Sequence, residues 1–438
     1  MSTGLPKLDS GPWSRFKRLL QPTEFRKNVL SLAMGTGAAQ LIPILSAPLF
    51  SRIFSDSQYG LLAYFLTAGN VLGVIATGRY ELAVMLPESN EDSHQLVGLS
   101  IGIALVVSIL SFPIALLLGN ALTPMVGEPD FRYWLLLLPA YVFLAGLYSA
   151  LLYSQMRDKA FKRIAMGKLA QGVSVFVVTL ALGIHGFGWK SLLIGAMAGQ
   201  IAPPLALLVP YLRGNPGVTR AWHWSRMKPL AKKYANFPKA NAAHALLDML
   251  QDFGVNFLIG ATFGTRTTGQ YAWGQRMVRG PITILSTSLS QVFFQRATEA
   301  HNQGEPIEPL VKRAMSRMAW IGLPIFLLLL LAGPQTFAFV FGPQWRTAGE
   351  FMQILSPWIY MRLIFAPVAS VALILGKQMV FLLIALVYNL GIVATFWAVS
   401  STQGGVQMAL IGVSVWSTAY LLYCVQWILR QSKQRLAV

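Results

Sequence analysis

Eight ionisable residues stand inside stretches of sequence too apolar to solvate them: Arg79, Lys168, Arg276, Arg279, Arg362, Glu81, Asp248 and Asp252. A charge at the centre of a membrane helix costs ~2.5–3.5 kcal/mol on insertion scales, so eight of them facing lipid would cost more than roughly 20 kcal/mol. They must therefore face one another, a wet cavity or the membrane interface. Five cations meet three acids, so static pairing does not absorb the whole set. Guanidinium groups suit a diphosphate, because their planar forks donate paired hydrogen bonds and stay charged in a low-dielectric site. Arg276 and Arg279 lie one turn apart, followed along the same side by Thr283 and Ser286 or Thr287. A static bridge from either to Asp248 or Asp252 is the competing reading for any one of them. Lys168 is the weakest candidate, since it lies near the end of its span and can snorkel to the interface.

A second pattern joins the acids. Asn241, His244, Asp248, Asp252 and Asn256 recur at steps of three or four, which places them on one helical face, opposite Leu246, Leu250 and Leu258. A polar stripe through the depth of a membrane helix lines water or a polar substrate, or else bonds to a neighbouring helix. Gln40 extends a weaker polar line with Thr36. Asp248, Asp252 and Glu81 can exchange a proton or bind Na⁺, accept from a substrate hydroxyl, or simply hold an arginine. Arg79 and Glu81, two apart, point in different directions on a helix and need not pair. No Walker loop, Cys/His metal spacing or G-x-S-x-G nucleophile occurs, so neither an enzyme nor a cofactor or metal is expected, beyond H⁺ or Na⁺ coupling.

The elements that must position these groups follow from composition. Of 438 residues, 55% are hydrophobic and 12% charged, about half the charge of a soluble domain. Apolar runs of ~20 residues, each long enough to cross a bilayer, give twelve expected spans. The first six are 28–54, 59–86, 95–118, 131–153, 164–186 and 190–212; the others are 239–263, 267–294, 317–342, 347–375, 378–400 and 405–429. With both termini cytoplasmic, 25 of the 35 Lys and Arg fall in cytoplasmic segments and 5 in outer loops. That positive-inside bias accounts for most of the net charge of +19, and a nucleic-acid partner is not needed.

The expected organisation is an all-α membrane protein of two six-helix lobes around a central cavity. Residues 1–27 form a cytoplasmic segment with an interfacial helix, 28–212 an N-lobe, 213–238 a basic linker, 239–429 a C-lobe and 430–438 a tail. The halves look duplicated. Phe54, Gly60 and Ala63 recur as Phe263, Gly269 and Ala272 at a constant offset of 209, each time in a short outer turn. A basic aromatic segment precedes each half: Trp13, Phe16 and Leu20, then Trp224, Met227 and Tyr234. Parallel repeats of this kind commonly enclose a substrate path and work by alternating access.

Several stretches resemble bacterial polysaccharide flippases of the Wzx type. They include Gly78-Arg79-Tyr80-Glu81-Leu82-Ala83-Val84-Met85-Leu86-Pro87 with its following acidic loop (Glu88, Glu91, Asp92), and Arg157-Asp158-Lys159-Ala160-Phe161-Lys162-Arg163. Tyr271-Ala272 through Arg276, Gly280-Pro281 and Gln291-Val292-Phe293-Phe294-Gln295-Arg296-Ala297 complete the set. The resemblance spans nearly all of 25–430. It implies the multidrug/oligosaccharidyl-lipid/polysaccharide exporter superfamily, a bacterial inner-membrane location, and undecaprenyl-diphosphate-linked repeat units of O-antigen, capsule or exopolysaccharide as cargo. Membrane lipids, a polysaccharide polymerase and a chain-length regulator are the partners it implies. The alternatives are a cation-coupled multidrug exporter of the same superfamily and a non-transporting scaffold for glycosyltransferases.

Overall fold

The computed structural model describes residues 40–375, 377–400 and 405–433. The expected interfacial segment within 1–27, the first part of the first span and the end of the tail lie outside them, as do the side chains of His244, Asp248 and Asp252. Among the described residues the chain is helical throughout, with no strand. The elements are α1 (40–53), α2 (Asp56–Val74), α3 (Asn90–Val126), α4 (Leu138–Arg157), α5 (Phe161–Ile184) and α6 (Trp189–Gly214). A short helix, α7 (Trp224–Lys233), precedes α8 (Ala242–Asn302), α9 (Glu308–Phe341), α10 (Arg346–Phe365), α11 (Gln378–Ser400) and α12 (Gly405–Lys433). Seven of the described helices are long and apolar enough to cross a membrane: α3 to α6, α9, α11 and α12.

α8 is two spans in one. Gly264 has φ 82 and ψ 178, a conformation open to glycine alone, and it divides the helix into limbs that match the expected seventh and eighth spans. Its counterpart at the offset of 209 is Ser55, where α1 gives way to α2. There the break is made by a capping box: the Ser55 backbone N–H donates to Gln58 Oε1 at 3.0 Å while the Gln58 N–H donates to Ser55 Oγ.

The second span departs from the expectation of an unbroken helix over 59–86. α2 ends at Val74, the chain turns through Gly78 (φ 58) and Arg79 (φ 63), and a 3₁₀ turn covers Tyr80–Met85. Gly78 takes the left-handed region freely, whereas Arg79 takes it at a cost. α3 then starts on the Ser89 cap, with Glu91 and Asp92 at the positive end of its dipole.

α2 to α6 pack together as one lobe and α9 to α12 as another, with the second limb of α8 lying along both α2 and α10. α7 is amphipathic. Met227 and Leu230 are buried against the N-lobe, Lys228, Lys232 and Lys233 are exposed, and the Tyr80 hydroxyl donates to the Ala231 carbonyl at 3.0 Å. This basic segment marks one end of the bundle, called here the linker end.

At the opposite, far end the two lobes are sealed together. Space for a Cβ is absent on both repeat-related glycines: at Gly269 it would lie 1.8 Å from the Asp56 carbonyl oxygen, and at Gly60 it would lie 2.1 Å from that of Thr265. Asp56 and Thr265 are themselves separated by 209 residues, so the two contacts exchange under the repeat. This is the signature of a self-complementary interface, made here between two halves of one chain. Around it, Asp56 Oδ2 accepts from Arg266 Nε at 2.7 Å and Gln270 Nε2 at 2.9 Å. Trp345 Nε1 donates to the Ser51 carbonyl at 3.0 Å, one of the orphan carbonyls at the end of α1. Tyr59, Trp273 and Trp345 cluster beneath, with ring centroids 4.4–5.5 Å apart; the two indoles stack and Tyr59 meets Trp345 edge-on.

Candidate functional site

Under this seal lies a partly open cavity of about 320 Å³, bordered by α1, α2, α4, α5, α6 and both limbs of α8. That is at the lower end of the ~300–1,000 Å³ typical of small-molecule sites. Its C-lobe wall carries Gln275, Arg276 and Arg279, and its N-lobe wall carries Asn70, Gln171 and Gln200, with Tyr59 and Trp273 at the sealed end. Among the described lining residues there is no carboxylate, so the two guanidinium groups set the sign of the site.

Arg279 also borders a second cavity of about 210 Å³ between α8 and α10, together with Thr283, Ser286, Trp358 and Arg362. The Arg362 guanidinium lies 6.0 Å from the Trp358 ring centroid, within cation–π reach. The helical repeat explains the alignment. Arg276, Arg279, Thr283 and Ser286 follow one face of the second limb of α8, and Arg362, four residues beyond Trp358 on α10, meets that face from across the groove. The three arginines thus form one track shared by two adjoining cavities, with the Arg276 side chain exposed.

The structure therefore brings together Arg276, Arg279, Arg362 and Asn256 out of the residues expected to form the site. It does not bring Arg79 to either cavity. With the helix broken at Arg79, that side chain turns back on Glu81, Nη1 to Oε1 at 3.4 Å, which corrects the expectation that two residues two apart point away from each other. Glu81 is 2% exposed and also accepts a hydrogen bond from the Thr77 hydroxyl, within a cluster of apolar side chains near the linker end. Lys168 is half-buried on α5, one turn from Gln171, and lines neither cavity; nor do Gln40 and Asn241. The helix runs through His244, Asp248 and Asp252 without a break.

A scan for ionisable residues misses Asn70, Gln171 and Gln200. Each is a neutral amide in an apolar stretch, and that polarity without charge is the signal that would have found them. The Asn70 Oδ1 accepts from the Tyr141 hydroxyl at 3.0 Å. Asn256 Oδ1 and Trp273 Nε1, both on residues lining the cavity, are buried with no hydrogen-bond partner among the described residues.

No curated protein matches the chain. Solved structures do resemble it in fold. The lipid II flippase MurJ in an inward closed conformation aligns with a TM-score of 0.66 at 11% identity, covering 92% of this chain and 89% of the other. An inward-facing multidrug resistance MATE family transporter of the MOP superfamily aligns at 0.60 and 14%, covering 94% and 96%. A MOP superfamily transporter from Pyrococcus furiosus, described as having a binding pocket of reverse polarity, aligns at 0.60 and 12%, covering 93% and 96%. The family described as "Polysaccharide biosynthesis protein" matches residues 49–350, a stretch that runs from the end of α1 into α10 and carries both walls of the central cavity. With the fold of MOP superfamily transporters, this chain belongs to the polysaccharide biosynthesis protein family.

Proposed function

We propose that this protein is a flippase that moves undecaprenyl-diphosphate-linked oligosaccharide repeat units across the bacterial cytoplasmic membrane by alternating access, for assembly of O-antigen, capsule or exopolysaccharide. The observation that carries this reading is the arginine track. Arg276, Arg279 and Arg362 border two adjoining cavities whose described lining holds no carboxylate, and a diphosphate is the lipid-borne group that two or three convergent guanidinium forks fit. A cationic drug would meet like charge there. The polyisoprenoid tail gains ~0.8 kcal/mol per CH₂ kept out of water, so it stays in lipid while only the head group uses the polar route.

In this reading the linker end is cytoplasmic, with residues 28–212 and 239–429 as the two lobes and 213–238 joining them. The lobes are sealed at the far end, and rocking of one against the other passes the head group outward. Asp248, Asp252 and Glu81 are the acids available to a coupling H⁺ or Na⁺. A polymerase and a chain-length regulator are the partners that would receive the product.

The experiment is lipid-extract mass spectrometry on a deletion strain, beside a gel of surface polysaccharide. Accumulated diphosphate-linked oligosaccharide with loss of surface polymer is the expected result. Unchanged lipids and polymer in a host without a redundant flippase, with altered drug resistance, would replace this reading by drug export.

A further inference from the structure

The two walls of the central cavity differ in chemistry. All the charge stands on the C-lobe side, at Arg276 and Arg279, whereas no described lining residue from α1, α2, α4, α5 or α6 is charged. That second wall presents three primary amides and no charge, Asn70 from α2, Gln171 from α5 and Gln200 from α6, whereas on the α8 side the amides Asn256 and Gln275 stand beside the two arginines. An amide inside an apolar membrane helix is ordinarily retained because it bonds a neighbouring element, and this molecule shows that use elsewhere. Gln270 donates to Asp56 and accepts from the Ala348 N–H at 2.9 Å, and Gln353 donates to the Leu330 carbonyl at 2.7 Å. Gln171 and Gln200 are different: both are half-buried, and neither makes a hydrogen bond to any described residue. Each brings two donors and two acceptor lone pairs to the cavity without a formal charge.

We infer that the amide wall of Asn70, Gln171 and Gln200 is a subsite for an uncharged sugar, the one joined directly to the diphosphate held on the arginines opposite; this rests on the flippase reading above. The donor and acceptor inventory selects the ligand class. A phosphate can only accept and an ammonium can only donate, so either would use half of each amide. A hydroxyl or an acetamido group both donates and accepts, and neighbouring sugar hydroxyls repeat that pattern around a ring. The aromatic residues that flank the wall, Tyr59, Phe50 and Phe176, offer apolar faces for the C–H side of the same ring. A cavity of about 320 Å³ suits one such unit beside the diphosphate rather than a long chain. The cargo is thereby oriented across the lobes, phosphates towards α8 and sugar towards α5 and α6.

The test uses the full chain in nanodiscs and two probes, farnesyl diphosphate and farnesyl diphosphate carrying one N-acetylglucosamine, with affinities read by calorimetry. The wild type is expected to bind the sugar-bearing probe about tenfold more tightly, the worth of one or two net hydrogen bonds. Gln171→Leu with Gln200→Leu should abolish that advantage while leaving affinity for the bare diphosphate unchanged, which also reports an intact fold. Arg276→Gln with Arg279→Gln should weaken both probes. If the wild type binds the two probes alike, or the amide variant weakens both equally, the sugar subsite is overturned and the diphosphate reading stands. If the wild type binds neither probe, the diphosphate reading falls and takes the subsite with it.

Discussion

Replacing Gly269 by alanine should open the far end of the molecule. The new Cβ would sit 1.8 Å from the Asp56 carbonyl oxygen and 2.9 Å from the Gly60 nitrogen. Both are backbone atoms, so no rotamer change relieves the clash, and α2 and α8 must part by more than about 1.5 Å to restore van der Waals contact. Parting them strains the buried bond from Gln270 to Asp56, worth about 1 kcal/mol. Overpacking itself costs ~1–3 kcal/mol. Alanine also favours the helix over glycine by ~1 kcal/mol, but that gain is common to the sealed and unsealed states and cancels between them. The net is about 2–4 kcal/mol against the sealed state, a shift of roughly 30- to 1,000-fold in its population relative to the unsealed one. The sole cysteine, Cys424, is buried, so after Cys424→Ala spin labels can be placed at exposed Ser57 and Thr347, one on each lobe at the far end. Pulsed electron–electron resonance in nanodiscs should show the distance distribution move outward in Gly269→Ala. The same should hold for Gly60→Ala, whose Cβ meets the Thr265 carbonyl at 2.1 Å. A wild-type distribution in both variants would refute the claim that these glycines hold the seal.

Other expectations use the same labels or simple binding. Trp345→Phe removes the donor to the Ser51 carbonyl and should weaken the seal by about 1 kcal/mol, moving the distribution the same way but less than Gly269→Ala. Asp56, in the turn ahead of the second span, is pushed up by burial but held below its ordinary 3.8 by hydrogen bonds from Arg266, Gln270 and the Ser57 backbone and by the Arg266 charge. A depressed carboxylate stabilises the sealed state at pH values above its range, and the contribution is lost as pH falls through its lowered pKa. The far-end distance should therefore hold steady between neutrality and mild acid and lengthen only below 3.8. Asp56→Asn should remove that response. Arg79→Gln leaves Glu81 buried without its cation, so it should lower the Tm by several degrees, with Glu81→Gln restoring it, and leave farnesyl diphosphate affinity unchanged.

How much of this was legible in the sequence depends on which kind of signal each part gives. Span lengths are set by the bilayer, so hydropathy marks about twelve expected spans, seven of which the described helices match in length and apolarity, and the offset of 209 anticipates that Gly60 and Gly269 share a role. That they meet each other's lobe is a tertiary fact: a glycine without a Cβ looks the same in a sequence whether it faces lipid or a backbone. The internal arginines on α8 and α10 were visible because charge in an apolar run must be explained. Arg79 was visible for the same reason and yet misleading, because the break at Gly78 turns it away from the helical register on which its direction was reckoned. The amides left the weakest trace, since an uncharged glutamine costs little enough to insert that it does not demand a partner.

The arginines lie close enough to the seal for a bound ligand to act on it. Gly269, Gln270 and Trp273 close the far end, and Arg276 and Arg279 follow on the same limb of α8 with no break between them. At 1.5 Å per residue, the close contact at Gly269 lies roughly 10 Å along the axis from Arg276. A ligand that draws Arg276 and Arg279 together therefore acts on the rod that holds the seal. Only a ligand that binds the unsealed arrangement more tightly can shift the balance, and it can do so by no more than that difference in affinity. If so, farnesyl diphosphate carrying N-acetylglucosamine should lengthen the Ser57–Thr347 distance in the wild type at saturation. In Arg276→Gln with Arg279→Gln the same probe should leave it unchanged, whereas Gly269→Ala should lengthen it with no probe at all. A lengthening that survives loss of both arginines would place the coupling elsewhere, on the amide wall or in the second cavity.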